Sequence, residues 1–164
     1  KVAKFLGLGW PGGPAVERAA RDGDPAFVEF PVSRVPGYEF SFSGLKTAVI
    51  VYVEGKGGAF VQANLPHILA SFQAAVVEAL VQKTLRALAD RGVRTLLIAG
   101  GVAANRALRD RLTLEAARGG FSLFAPPLRW CTDNAAMIAR AGHERLIRGM
   151  TSPLTLSPEP RLML

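Results

Sequence analysis

Asp133 lies in the stretch RWCTDNAAMIARAG, between a strand-like run, FSLFAPPLRW, and an apolar-periodic one, AAMIARAGHERLI. A carboxylate placed there either caps the helix, by accepting from its first backbone N–H groups, or holds a cation. Judged by spacing alone, the cap is the commoner role. A second chemistry-bearing stretch is LLIAGGVAANRALR, with Gly100 and Gly101 at the carboxyl end of an apolar run and a helix starting near Asn105. Open α/β sheets bind ligands at such a place, because glycines let backbone approach closely and a helix N-terminus favours anions. The pattern is not GxGxxG, so a dinucleotide fingerprint is absent. A tight strand-to-helix turn with Asn105 as N-cap accounts for the same residues equally well.

Other candidates are weaker. Gly44-Leu45-Lys46-Thr47 approaches the end of GxxxxGK[ST], but Leu45 separates glycine from lysine and Phe40 stands where the first glycine belongs. Lys46 is still unusual, since a cation in a first helical turn opposes the macrodipole by about 0.3–1 kcal/mol. It is either solvated or set against a nearby anion. His67 and His143 lie far apart and neither has a partner at metal-ligand spacing. Neither a Ser-His-Asp set nor a pair of carboxylates at catalytic spacing can be argued.

Several elements must position these residues. KVAKFLGLG reads as the middle of an amphipathic helix with Val2, Phe5 and Leu6 on one face. Pro11-Gly12-Gly13-Pro14 forces a turn, after which Pro14 suits the first position of a new helix. FVEFPVSR and YEFSFSG read as short strands, the latter leading at Ser43 into the helix GLKTAVIVYVEG, and KGGAFVQAN as a loop. The longest helix, LPHILASFQAAVVEALVQKTLRALADRG, carries Ile68, Phe72, Val76 and Leu80 as a core stripe and ends at Gly92. RTLLIAGG is the best strand, an uninterrupted apolar run of the kind covered on both faces. NRALRDRLTLEAARGG is the helix after it and FSLFAPP the next strand. Helix and strand alternate through the second half, which argues for an α/β layered domain over residues 1–150. Residues 151–164 form a Pro-rich tail, an extended arm. One mixed sheet with helices on both faces is expected, with Gly13, Gly101 and Asn105 lining one cleft.

At 164 residues, with 49% hydrophobic and 20% charged, the chain is one ordinary globular domain with a real core. The sequence has no uninterrupted apolar run of about 18 residues and no signal peptide pattern, so no membrane association is expected. Cys131 is the single cysteine, which excludes an internal disulfide and makes the cytoplasm the expected location. The net charge is +7, with 15 arginines against 5 lysines. Arginine's planar fork suits phosphate, so a nucleic-acid partner is plausible, although arginine-for-lysine usage in a GC-rich or heat-adapted genome explains the count equally well. The opening residues, helical and without methionine, read as a fragment of a longer protein.

FSFSGLKTA, LLIAGGVAANRALR and PPLRWCTDNAAMIA, in that order after KVAKFLGLGWPGGP, closely resemble the C-terminal half of the TsaD family. That family makes threonylcarbamoyladenosine in tRNA and was formerly labelled O-sialoglycoprotein endopeptidase. The resemblance runs from Lys1 to about Gly149. It implies the actin/Hsp70/sugar-kinase type of fold, a ribonuclease H-like lobe facing a second, similar lobe across a ligand cleft, with this chain supplying most of one lobe. Carried over by motif, Asp133 is a metal ligand, and Asn105 and Gly13 contact the nucleotide part of the substrate, with Gly100 and Gly101 in the loop that holds it. The family's two HxxxH histidines, its SGGHT loop and an acidic residue just ahead of this starting point have no counterpart here. His143 stands where no metal ligand is expected.

The activity so implied is acyl transfer: threonylcarbamoyl-adenylate gives up its acyl group to the adenosine 3′ of the anticodon in tRNA. One divalent metal per complete subunit is implied, iron in the first place and zinc or magnesium otherwise, with the adenylate substrate or ATP in the cleft. TsaB and TsaE are the implied bacterial partner proteins, and rim arginines meet tRNA phosphates. The fragment alone is expected to be inactive. Two other readings stand beside this one. A sugar-kinase-like phosphotransferase half has no reason to carry TDNAAMIA. A non-enzymatic basic RNA-binding module would interleave aromatics with its basic clusters, whereas the aromatics here lie mostly in strands and core stripes.

Overall fold

The computed structural model describes residues 1–33 and 35–158. Arg34, which closes the FVEFPVSR segment, and the last six residues of the Pro-rich tail lie outside the described residues. Among the described residues six α-helices and two short strands follow in order: α1 (Val2–Phe5), α2 (Gly12–Ala20), α3 (Ser43–Glu54), α4 (Gly58–Arg91), β1 (Thr95–Leu97), α5 (Arg106–Gly119), β2 (Ser122–Phe124) and α6 (Ala135–Ile147). Single 3-10 turns precede α5 and follow β2, at Gly101–Ala104 and Leu128–Trp130.

The helix α4 is the spine. It begins at Gly58, so most of KGGAFVQAN is helix rather than loop: Gly57, at φ +73°, turns the chain, and Val61 is already buried in the core. Gly92 ends it in the left-handed region, a conformation glycine adopts without a Cβ penalty. Its centre has a broad buried surface rather than the narrow stripe expected. Ile68 is fully buried while Phe72, Val76 and Leu80 are half-buried, and Leu69, Ala75, Val77 and Val81 join Ile68 in the interior. The reason is that α4 is packed on several sides. Its first half meets α2, α3 and the chain between them through Val16, Ala20, Phe30, Leu45 and Val49. Its second half meets α5 and the sheet through Val77, Val81, Leu108 and Leu112. By length and composition α4 could cross a membrane, but these contacts take up much of its apolar surface. At the amino end, Val2 and Ala3 are the buried positions of α1, while Phe5 is 42% exposed. Helix α2 starts two residues before Pro14, with Pro11 as its N-cap.

Among the described residues, the two strands expected over 27–34 and 38–44 do not form. Backbone in the first segment and flanking the two is tied to side chains along α4 instead of to a ladder. The Asp24 N–H donates to His67 Nδ1 (3.0 Å), the Val28 N–H to Ser71 Oγ (3.0 Å), and Lys83 Nζ donates to the carbonyls of Val35 and Gly37. Further on, Tyr38 Oη donates to Asp90 Oδ2 (2.9 Å). Residues 24–33 and 35–38 thus form a strap lying along α4 in the same direction as the helix. His67 acts as a structural acceptor there, and Ser71, buried at 2% exposure, is satisfied by Val28 N–H and the Asp24 carbonyl.

Strands β1 and β2 pair in parallel, Leu96 opposite Leu123, with α5 as the crossover. Among the described residues the sheet is this parallel pair, not the mixed sheet covered on both faces that was expected. Leu96, Ile98 and Leu123 pack toward α4 and α5, while on the other face Leu97 is 72% and Phe124 56% exposed. Continuous apolar character along RTLLIAGG therefore does not translate into double coverage within these residues.

Candidate functional site

The junction from β1 to α5 is where the candidate residues gather. Gly100 takes φ +86°, which turns the chain out of the strand, and a Cβ on Gly100 or Gly101 would meet nothing within 4 Å. Backbone here is open to an approaching ligand. Asn105 is the N-cap of α5: Oδ1 accepts from the Leu108 N–H at 2.9 Å. Its other end is also engaged, since Nδ2 donates to Gln73 Oε1 of α4 at 2.9 Å. The next N–H, of Arg106, donates to Glu17 Oε1 of α2 at 2.7 Å. The helix that begins with Gly12 and Gly13 is thereby fastened to the start of α5, and Gly13 lies one turn before Glu17. A groove of about 530 Å³ opens between them, lined by Pro14, Glu17, Arg18, Gln73, Arg106 and Asp110. Gly13, exposed and with space around its Cα, sits beside Pro14 of that lining. A second recess, of about 720 Å³, lies under the strap against α4 and α5, and Gln73 borders it too.

Arg109 connects this junction to the segment carrying Asp133. Its Nε donates to the Ala103 carbonyl, and its Nη2 to the Pro126 carbonyl (2.6 Å) and Cys131 Sγ (3.1 Å). One guanidinium thus ties the GGVAAN turn, the exit of β2 and the buried thiol two residues before Asp133. Lysine, a point donor on a flexible stem, cannot span the three. Arg109→Lys should cost about 1–3 kcal/mol of stability, read as a lower denaturant midpoint. A loss below about 0.5 kcal/mol would mean that the clamp is dispensable.

Asp133 is not the cap of α6. Asn134 takes that place, its Oδ1 accepting from the Met137 N–H at 3.0 Å and its Nδ2 donating to the Thr132 carbonyl. The cap role weighed for Asp133 therefore falls to its neighbour, because the helix starts at Ala135. Asp133 is exposed and joined by no ion pair among the described residues. Nor do three His, Cys, Asp or Glu side chains gather anywhere among those residues. A single exposed carboxylate does not retain a transition metal against water, so this chain by itself does not fit a bound metal. His143 is exposed on α6.

Lys46 is half-buried in the first turn of α3, and no anionic side chain pairs with it among the described ion pairs. Arg111 is better provided. It bridges Glu115 (2.8 Å) on its own helix and Glu78 (2.9 Å) on α4, and the Glu115 hydrogen bond holds its guanidinium above the usual arginine range.

Glu17, Gln73 and Arg109 were not singled out from the sequence. Gln73 alone had a signal, being a polar residue in an apolar helical stretch next to the Ile68–Phe72 stripe.

A strand leading into paired glycines, a capped helix and an adjoining groove make up an α/β unit with open backbone at its junction. The chain belongs to the TsaD family: the family model described as tRNA N6-adenosine threonylcarbamoyltransferase matches residues 1–140. Curated relatives bearing that name include those of Thermotoga neapolitana (46% identical, 99% of this chain and 49% of the relative), Sorangium cellulosum (49% identical, 100% and 47%) and Symbiobacterium thermophilum (47% identical, 99% and 48%). The chain spans about half the length of the curated relatives it matches.

Proposed function

We propose that this chain is the C-terminal part of a tRNA N6-adenosine threonylcarbamoyltransferase. What supports the reading is the junction of Gly100, Gly101 and Asn105 with α2 brought against it, in a member of the TsaD family. In the reaction, the exocyclic amine of the adenosine 3′ of the anticodon attacks the carbonyl carbon of threonylcarbamoyl-adenylate. A C–N bond forms, the C–O bond to phosphate breaks, the amine loses one proton and AMP leaves. The part of this chain is to bind and orient the adenylate. Open backbone at Gly100 and Gly101 admits the nucleotide, Asn105 contributes a side-chain hydrogen bond, and Gly13 lets the start of α2 approach it.

Asp133 is one ligand of a divalent metal in the complete protein, iron ahead of zinc or magnesium, the other ligands coming from outside this chain. The lobe is of the actin/Hsp70/sugar-kinase type, and the bare apolar face carrying Leu97 and Phe124 supports a further layer covering the sheet there in the complete protein. TsaB and TsaE are the protein partners in bacteria, the arginines of the rim meet tRNA phosphates, and the working location is the cytoplasm.

Asn105→Ala in the complete protein tests the assignment. Loss of a recognition hydrogen bond should weaken adenylate binding by about 1–3 kcal/mol. Stability should fall by the cap contribution of about 1 kcal/mol, plus a smaller amount for the Gln73 bond. Titration of the adenylate and a denaturation curve on the same preparations separate the two. Lost stability with unchanged affinity would leave Asn105 a cap and no more.

A further inference from the structure

Gln73 is a polar side chain in the apolar middle of α4, where an unsatisfied amide would be costly. Its neighbours in the sequence, Phe72, Ala74 and Ala75, all pack at least partly into the interior. Its Oε1 accepts from Asn105 Nδ2 across 32 residues of chain, and its side chain borders both recesses that meet at the start of α5.

An asparagine amide offers a ligand two different edges, an oxygen that accepts and a nitrogen that donates, and turning the amide over exchanges them. At Asn105 one hydrogen bond, from the Leu108 N–H, holds the oxygen end over the helix. A single bond of that kind leaves the amide free to tilt about the oxygen. The bond to Gln73 supplies a second anchor at the nitrogen end, and two anchors define the plane. Asn105 then keeps one Nδ2 hydrogen and one Oδ1 lone pair unused by these two bonds, and their direction is fixed before any ligand arrives.

We infer that Gln73 is a positioning residue for adenylate recognition: through Asn105, it sets the direction in which the amide meets the nucleotide. The inference rests on the proposed function, and it concerns binding of the adenylate rather than the acyl transfer step. A residue acting through another should have no effect once that other is gone. It should also be replaceable by any side chain that puts an acceptor oxygen in the same place.

The test is steady-state kinetics of the complete protein with threonylcarbamoyl-adenylate and tRNA, alongside denaturation midpoints. Gln73→Leu, of similar bulk and suited to an apolar helix, should raise KM for the adenylate about five- to tenfold, with kcat within twofold and the midpoint lowered by less than in Asn105→Ala. Gln73→Glu, which keeps the acceptor, should bring KM back to within about twofold of wild type. Adding Gln73→Leu to Asn105→Ala should raise KM no further. Wild-type KM in Gln73→Leu, with Asn105→Ala impaired, overturns the role of Gln73 and leaves the adenylate site standing. A lowered midpoint with KM unchanged reduces the Gln73 bond to a fastening between helices, and an equal defect in Gln73→Glu excludes the acceptor as its basis. Wild-type KM in Asn105→Ala, or no transfer by the wild type, overturns the underlying reading and this inference with it.

Discussion

Asp133→Ala in the complete protein should abolish threonylcarbamoyl transfer and lower the bound metal, while folding stability stays within about 0.5 kcal/mol of wild type. The small stability term follows from the start of α6. Asn134 caps the helix through the Met137 N–H, and Asp133, one residue further out, is exposed and held by no ion pair among the described residues. Its carboxylate is therefore available for a role outside the fold of this chain. Asn134→Ala provides the complement, since loss of a cap costs about 1 kcal/mol of helix stability without removing the proposed ligand. Metal analysis of wild type and variant, together with modified-nucleoside content of the tRNA, checks the expectation. Equal stoichiometric metal in both, with modification retained, would remove Asp133 from the metal site.

Gly23→Ala should strongly destabilise the fold of this chain. A Cβ on Gly23 would stand 2.0 Å from the Pro66 carbonyl oxygen, 2.4 Å from the Pro66 carbonyl carbon and 2.9 Å from Ala70 Cβ. Two of these are backbone atoms of α4 and cannot swing aside, so either the strap lifts or the helix shifts. Lifting the strap also threatens the neighbouring bonds, Asp24 N–H to His67 and Val28 N–H to Ser71. Overpacking of this kind costs about 3 kcal/mol, at the upper end of the usual range. Gly44→Ala is the control, because a Cβ there meets nothing within 4 Å, and its midpoint should change little. If Gly23→Ala melts with wild type, the strap is not seated on Pro66.

Helices were legible where caps and periodicity agreed. Gly92 closes α4, and Asn105 and Gly120 bracket α5, each a local signal that no distant contact needs to complete, while α3 begins at Ser43 without a side-chain cap. The paired glycines at the end of β1 were legible for the same reason. The stretch from Phe27 to Phe42 was not. Alternation of apolar and polar residues describes an extended chain, but whether that chain becomes a strand depends on what receives its hydrogen bonds. Here Ser71 and Lys83, distant in sequence, bond the backbone of Val28, Val35 and Gly37. The start of α4 was missed because Gly57 and Gly58 read as loop, while the Val61 burial that favours helix is a tertiary fact. At α6 the cap role weighed for Asp133 falls to Asn134, a shift of one residue in register that composition cannot resolve. Glu17, Gln73 and Arg109 owe their interest to partners 17 to 89 residues away.

The rival readings make different demands on the same residues. A sugar-kinase-like half would use the α5 junction for ATP and would leave Asp133 without a task. An RNA-binding module would need neither the junction nor Asp133. The most direct measurement follows the acyl group. The complete protein, supplied with the proposed metal and partner proteins, is given threonylcarbamoyl-adenylate labelled in the threonine and tRNA carrying an adenosine 3′ of the anticodon. The account predicts label in that adenosine with AMP released in equal amount, and loss of both in Asp133→Ala. Binding of tRNA without label transfer, or transfer of phosphate from ATP to a sugar instead, would contradict it.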